Sequence, residues 1–407
     1  MDAIRPGISS IFKVVIGKDQ TADVPADHAD LASRIDTDND KLLSDTEVRT
    51  FLKQERILKD PASGARVNEE KIVSDFKRTL QGQPLPQAAE YHSYDEMREA
   101  LAHLAADHPD RAQLVSLGKS VEGRDVWALK ISGKVTGDTS HKPGVMFTGC
   151  HHAREWMSME VPLDLAHNFV EKYDTDPEMK RRVDNAEIWI APMVNPDGYE
   201  YSRTRDAWWR KNRRPNTDTG CGNGSNRVGV DLNRNYDDGK PEHAHLYRPA
   251  GDTPCKTFDD FGVTSDFPGS DVYRGPRGLS EPETRAVVTH ELGRPNMRGV
   301  IDHHGYGGML LRPWGHTDDP PDKIADYDEL GRRMRAAQDD PYRYMSSGDL
   351  YPTAGTSTDM LHANGKYAFT IELGDEFQPD PATFDKMNVE NADLAFLDWI
   401  LEKYPAK

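Results

Sequence analysis

The stretch Cys150-His151-His152-Ala153-Arg154-Glu155-Trp156 places His152 three residues before Glu155. That spacing lets both side chains reach one metal ion from a single turn of chain. His151, four residues before Glu155, competes for the same role. A catalytic zinc site takes three protein ligands, commonly two imidazoles and a carboxylate, and leaves a further position for water. A second imidazole is offered far downstream by Asp302-His303-His304. Strand alternation there puts Asp302 and His304 on one face and His303 on the other. Singly, each motif has a plain structural alternative: a chance His-x-x-Glu match, or a hydrogen-bonded core histidine.

A zinc hydrolase also needs a general base that is not a ligand. Glu372 lies in the apolar run YAFTIEL, Tyr367 to Leu373. A carboxylate in such a run is costly unless it is paired or functional. Removal of a terminal residue further requires recognition of a free carboxylate, for which the planar fork of arginine is best suited. Asn233 and Arg234 stand side by side in DLNRNY, Asp231 to Tyr236. Upstream, WWRKNR (Trp208 to Arg213) is a basic, aromatic cluster. One arginine there could polarise a scissile carbonyl and hold the developing oxyanion. The rest read as solvated surface charge.

The elements that must carry these groups alternate. VWALKIS (Val126–Ser132), GVMFTG (Gly144–Gly149), EIWIAPMV (Glu187–Val194), RGVIDHH (Arg298–His304) and YAFTIEL (Tyr367–Leu373) read as strands. Helical periodicity marks Tyr94–Leu104, Glu160–Lys172, Glu281–Glu291, Tyr327–Ala337 and Val389–Lys403. This alternation predicts a mostly parallel sheet covered on both faces, with loops at the strand C-termini carrying the site. The polar stretch Arg213–Phe267 reads as loop. Residues 1–87 differ: they are charged, helix-favouring and poor in strand signals, and Gly82, Pro84 and Pro86 mark a linker at their end. The division expected is therefore a module at 1–87 and a catalytic domain at 88–407.

The bulk numbers agree with that division. A chain of 407 residues suits a large domain plus a smaller one. Its formal net charge of −18 argues against nucleic acid and anionic membranes as partners. No apolar run reaches the about 18 residues of a membrane span. The apolar stretch Ile11–Ile16 is short, interrupted by Lys13 and unlike a secretory signal. A secreted or periplasmic location is slightly favoured all the same, by an open route, and a monomer is expected. Of the three cysteines, Cys150 ends an apolar run and is expected to be buried. Cys221 and Cys255 sit in polar loops, either bridged or as two free thiols.

Taken together, HAREW (His152–Trp156), NPDGY (Asn195–Tyr199), WRKNRR (Trp209–Arg214), GVDLNRNY (Gly229–Tyr236), HHGYGGMLLRPWG (His303–Gly315) and YAFTIEL occur in an order that resembles the zinc carboxypeptidases of the pancreatic A/B type and their bacterial relatives. The resemblance covers roughly residues 88 to 407. It implies an α/β/α sandwich around a central mixed eight-stranded sheet. It implies that His152, Glu155 and His304 bind Zn2+, and that Glu372 is the base that takes a proton from the attacking water and passes it to the leaving amine. Arg210 would polarise the scissile carbonyl, and Asn233 and Arg234 would clamp the terminal carboxylate of a peptide or protein. Tyr351 would close over the bound terminal residue, with Arg154 and Tyr306 along the outer subsites. A loop disulfide known in the pancreatic branch favours a Cys221–Cys255 bridge.

The selectivity position corresponds to Thr358, which is neutral and suits neutral or apolar C-terminal residues. Asp359, one residue on, would favour basic ones. Action on cell-wall or γ-glutamyl peptides is the alternative within the class, and a catalytically inactive, calcium-regulated binding module is the alternative outside it. In the small, mostly helical N-terminal module, Asp36 to Glu47 resembles an EF-hand loop. Asp36, Asp38, Asp40, the Leu42 carbonyl and a bidentate Glu47 would hold Ca2+, with Ser44 acting through water. Lys41 stands at the sharp-turn position usually held by glycine, and no second loop pairs with this one.

Overall fold

A computed structural model describes residues 12–18, 20–25, 28–54, 69–83, 85–216, 228–243, 257–258 and 264–406. Its N-terminal part holds strands β1 (Lys13–Gly17), β2 (Gln20–Asp23) and β3 (Leu42–Leu43) in one sheet of order β2-β1-β3. Helices Ala29–Ile35, Asp45–Gln54 and Glu69–Leu80 accompany them. The module is mainly helical as expected, but its small sheet carries no clear sequence signal. Only Val14 of β1 is fully buried, so no apolar alternation marks the strand.

The main sheet is built from β4 (Ala112–Lys119), β5 (Asp125–Ile131), β6 (Gly144–Gly149), β7 (Glu187–Ala191), β10 (Met297–Gly305), β11 (Met309–Arg312), β12 (Arg343–Ser346) and β13 (Tyr367–Leu373). The short pair β8 (Thr257–Phe258) and β9 (Thr264–Ser265) lies outside it. The eight strands run in the order β12-β11-β13-β10-β6-β7-β5-β4. The central four, β13-β10-β6-β7, are parallel, whereas β11 against β13, β5 against β7 and β4 against β5 are antiparallel. The sheet is therefore mixed and eight-stranded.

Alternate residues of the central strands feed two cores. Val145, Phe147, Ile301, Phe369 and Ile371 pack with helices Met157–Glu171 and Lys386–Lys403. Met146, Val300 and Ala368 face the opposite way, against helices Pro282–Gly293 and Ser357–Ala363. Burial on both faces explains why β6 and β7 read as continuous apolar runs. Three strands, β4, β11 and β12, were not foreseen. β4 and β12 lie at the sheet edges with mostly half-exposed residues, and β11 is only four residues long.

Because β6 and β10 are parallel neighbours, with His303 opposite Gly149, both candidate metal-binding motifs leave the sheet from the same edge. Gly149 must be glycine, since a Cβ there would stand 1.8 Å from the Ser158 carbonyl oxygen. The buried Cys150 that follows adopts φ +54, and its N–H donates to Ser158 Oγ at 3.0 Å. This folds residues 150–158 back over the strand end and turns His152 and Glu155 towards β10. No described helix is long and apolar enough to cross a membrane.

Candidate metal centre and substrate site

His152 Nδ1 lies 2.9 Å from Glu155 Oε1 and 3.0 Å from His304 Nδ1, and His304 Nδ1 lies 2.9 Å from Glu155 Oε2. All three residues are buried. The opposite ring nitrogens are engaged elsewhere: His152 Nε2 with Asp231 Oδ1 at 3.1 Å, and His304 Nε2 with Asp302 Oδ2 at 3.0 Å. A ring that donates its Nε2–H to a carboxylate presents the lone pair of Nδ1. Two such lone pairs and a carboxylate converging on one point repel each other unless they share a cation or a proton. The donor set therefore fits a zinc ion, with two imidazole nitrogens and one carboxylate.

The electrostatics agree. Burial would raise the Glu155 pKa, but the adjoining His152 and His304 outweigh it and hold the carboxyl below the ordinary range. Burial, reinforced by the Arg210 charge, presses His152 towards the neutral form that ligates metal. His304 shifts the other way: burial opposes its charge, yet Asp302 and Glu155 outweigh it and draw positive charge to this spot.

Glu372 stands in register with His304 across the parallel pair β10 and β13, so both side chains project on the same side of the sheet. It is half-buried, unlike His152, Glu155 and His304. Arg210 is buried with its Nε 3.0 Å from Asp231 Oδ2 and its Nη1 3.8 Å from Glu155 Oε1. Burial acts against Asp231 ionising, but Arg210 and His152 overcome it and keep that carboxylate charged. Asn233 accepts the Ser357 N–H at 2.9 Å and sets its Nδ2 3.2 Å from His304 Nε2. Arg234, 2% exposed, donates from Nη1 to the Asn233 carbonyl at 2.8 Å, and its buried Nε has no hydrogen-bond partner among the described residues.

A family model described as zinc carboxypeptidase matches residues 59–393. The chain belongs to the zinc carboxypeptidase family. It is 35% identical to carboxypeptidase B of Astacus astacus over 293 residues, which is 70% of this chain and 86% of that protein. It is 31% identical to carboxypeptidase A1 of Rattus norvegicus over 293 residues, again 70% of this chain, but there it spans only 63% of the relative's length. The crystal structure of carboxypeptidase A from Helicoverpa armigera superposes with a TM-score of 0.65 at 25% identity, covering 87% of this chain and 81% of that one.

The remaining expected residues of this carboxypeptidase-family chain fall in separate places. Tyr351 is half-buried at the end of helix Ser347–Leu350, close enough to Arg210 to influence its charge. Thr358 is buried in the first turn of helix Ser357–Ala363. The neighbouring Asp359 carboxylate accepts the Gly315 N–H at 2.9 Å and meets His316 Nδ1 at 2.8 Å. Arg154 and Tyr306 are 4% and 0% exposed, and both pack on Phe377. Asp36, Asp38 and Asp40 of the EF-hand-like loop form an acidic group of their own, and Cys221 and Cys255 fall outside the described residues.

The residue reading gave no role to Asp231, Asp302, Ser357 and Phe377. Strand alternation had already put Asp302 on the His304 face, which was the available signal. His151, the competing ligand, groups with Asp302 and His304, whereas His152 groups with Glu155 and His304. It meets Asp302 Oδ1 at 2.8 Å and Tyr236 Oη at 2.6 Å. Thr148 and Ser357 complete the shell of Asp302 at 3.0 and 2.7 Å. Replacing Asp302 with Asn should weaken zinc affinity by about 10- to 100-fold, as should Asp231→Asn. Competition with a chromogenic chelator measures this directly, and unchanged affinity in both variants would show that neither carboxylate orients a ligand.

Proposed function

We propose that this chain is a zinc-dependent exopeptidase that hydrolyses the C-terminal peptide bond of peptides and proteins. The observation that carries the reading is the convergence of three groups. These are a buried two-histidine, one-glutamate trio, Glu372 in register beside His304, and a buried arginine, Arg234, with a donor to spare. Bound zinc would act as a Lewis acid that polarises the carbonyl and acidifies water. Glu372, half-buried beside the ligands, takes the water proton at its carboxylate and delivers it to the leaving amine. Arg210, fixed by Asp231, presents a guanidinium to the oxygen on which negative charge grows. Asn233 and Arg234 hold the terminal carboxylate, the only anion of the substrate whose position every C-terminal residue shares.

The preference we propose is for neutral or apolar C-terminal side chains. Its support is that Thr358 brings no charge to the pocket helix and that the Asp359 carboxylate is already engaged by Gly315 and His316. We also propose that the loop from Asp36 to Glu47 binds Ca2+. Oxygens of Asp36, Asp38 and Asp40 lie within 4.8 Å of one another, and Lys41 takes φ +69, the left-handed turn that the loop needs. Glu47 bridges the ends of the loop, accepting the N–H groups of Thr37 and Ser44 at 2.7 and 3.0 Å.

Mass spectrometry of a mixed peptide pool should show stepwise loss of C-terminal residues that a zinc chelator abolishes. Glu372→Gln should lower turnover by at least about a hundredfold with zinc still bound; near-normal turnover would remove Glu372 as the base. Arg234→Ala should penalise free C-termini selectively, so equal losses on C-terminally amidated peptides would argue against the clamp. For the calcium loop, 1 mM Ca2+ should raise the melting temperature of the wild type and leave an Asp36→Ala, Glu47→Ala variant unmoved. A melting temperature insensitive to Ca2+ in the wild type would dismiss that site.

A further inference from the structure

The chain through Arg210 belongs to no helix or strand, so its place depends on individual hydrogen bonds. Two of them flank the residue itself. The Arg210 carbonyl accepts the N–H of Ala153, inside the His152–Glu155 motif, at 2.9 Å. The Arg210 Nε donates to Asp231 Oδ2 at 3.0 Å. A further anchor lies two residues on, at Asn212, which is 0% exposed.

An asparagine amide can make four hydrogen bonds, two as donor and two as acceptor. Asn212 makes all four. Its Oδ1 accepts the N–H groups of Val230 and Arg214 at 2.8 and 3.2 Å. Its Nδ2 donates to Glu281 Oε2 at 2.8 Å and to Glu283 Oε2 at 3.3 Å. The main chain runs the same way: the Asn212 N–H donates to the Val230 carbonyl at 3.0 Å, and the Gly229 N–H to the Arg214 carbonyl at 2.7 Å. Gly229 takes φ +87, and a Cβ there would stand 2.4 Å from the Asn212 carbonyl oxygen, so the two segments touch along their backbones. One amide therefore joins residues 210–214 to residues 228–231 and ties both to the start of helix Pro282–Gly293. Leaving any of these buried groups unpaired is costly, so the side chain has little freedom to change.

The residues beyond Val230 have other supports. The Asp231 N–H donates to the Tyr273 carbonyl at 2.8 Å, and the Tyr236 N–H to the Gly355 carbonyl at 3.1 Å. The Asn235 amide donates to the Arg274 carbonyl at 2.8 Å and to Ser280 Oγ at 2.9 Å. Asn233 accepts the Ser357 N–H. Asp231, Asn233 and Arg234 are thus held by bonds that do not pass through residue 212.

We infer that Asn212 is a positioning residue for Arg210. By joining the 210–214 segment to Val230, Glu281 and Glu283, it keeps the guanidinium 3.8 Å from Glu155 Oε1, where a carbonyl polarised at the trio would meet it. The trio and the carboxylate clamp do not need it. This rests on the exopeptidase reading above.

Asn212→Asp keeps the shape of the side chain, loses both donors and sets a third carboxyl group beside Glu281 and Glu283. Burial pushes the Glu283 carboxyl up to about 8, so near neutral pH it carries no charge. Glu283→Gln is therefore a close replacement, and it brings an amide N–H that the aspartate of Asn212→Asp can accept. In full-length Asn212→Asp, kcat should fall at least about tenfold, towards the roughly hundredfold that loss of an oxyanion donor costs. Affinity for a tetrahedral phosphonate peptide should fall by the same factor, since both report the charge-bearing geometry. KM, and zinc affinity measured by chelator competition, should hold. Adding Glu283→Gln to Asn212→Asp should recover much of the lost kcat. An unchanged kcat, a loss in KM or zinc affinity as large as that in kcat, or a combined variant no better than Asn212→Asp would each overturn the inference. If Asn212→Asp does not fold, Asn212→Ser keeps an oxygen acceptor without the amide donors and is held to the same split between kcat and KM. A wild type that cleaves no peptide would instead defeat the exopeptidase reading, and wild-type kcat in Arg210→Gln would defeat the role given to Arg210. Either would remove this inference as well.

Discussion

The arrangement turns on two imidazole nitrogens held 3.0 Å apart in a buried setting, with the two Glu155 carboxylate oxygens each 2.9 Å from one of them. Such a cluster is unfavourable unless positive charge sits within it. Water cannot screen it, and the ring nitrogens that could turn away are held by Asp231 and Asp302. The protein thus fixes these donor atoms in advance, and a cation with tetrahedral preference would relieve the repulsion that this creates. The charged neighbours follow from the same need. Asp231 is kept ionised by Arg210, and Asp302 by His151 and His304, each in spite of burial.

The sheet makes this possible because its central strands are parallel. Parallel neighbours end together, so β6, β10 and β13 release residues 150–155, His304 and Glu372 at one edge without long excursions of the chain. Two helices on each face bury both sides of these strands, which leaves the edge as the place where polar side chains can gather. Gly149 is where this geometry is least forgiving. The chain there passes so near the Ser158 carbonyl that no side chain fits, and the tight return it permits brings Glu155 back to His304.

How far the sequence revealed this follows from the same physics. Strands buried on both faces announce themselves as apolar runs, and β6 and β13 were bounded to the residue by that signal alone. Alternation placed Asp302 beside His304 and sent His303 the other way, where it meets Asp393 of the last helix. Edge strands with mixed exposure, such as β4 and β12, lack that signal and were missed. So was the small sheet of the N-terminal module, where Lys13 interrupts the apolar stretch and β3 is two residues long. The candidate ligands stand out as residue types at a spacing, whereas the residues that hold them do not. Asp231 and Ser357 gain their roles only through contacts across 79 and 55 residues of chain, which no local pattern encodes.

Ser357 shows how closely the parts of the site depend on one another. Its N–H donates to Asn233, its hydroxyl to Asp302, and Asp302 holds His304. One residue at the start of the pocket helix therefore connects the proposed carboxylate clamp, the segment proposed to set specificity and the candidate metal ligand His304. Because each of these bonds is buried, breaking one leaves an unsatisfied polar group, and the helix cannot shift without disturbing the candidate metal site. The pocket that would select the side chain and the centre that would cut the bond are thus held in a single register, as an exopeptidase requires when the distance from the terminal carboxylate to the scissile carbonyl is the same for every substrate.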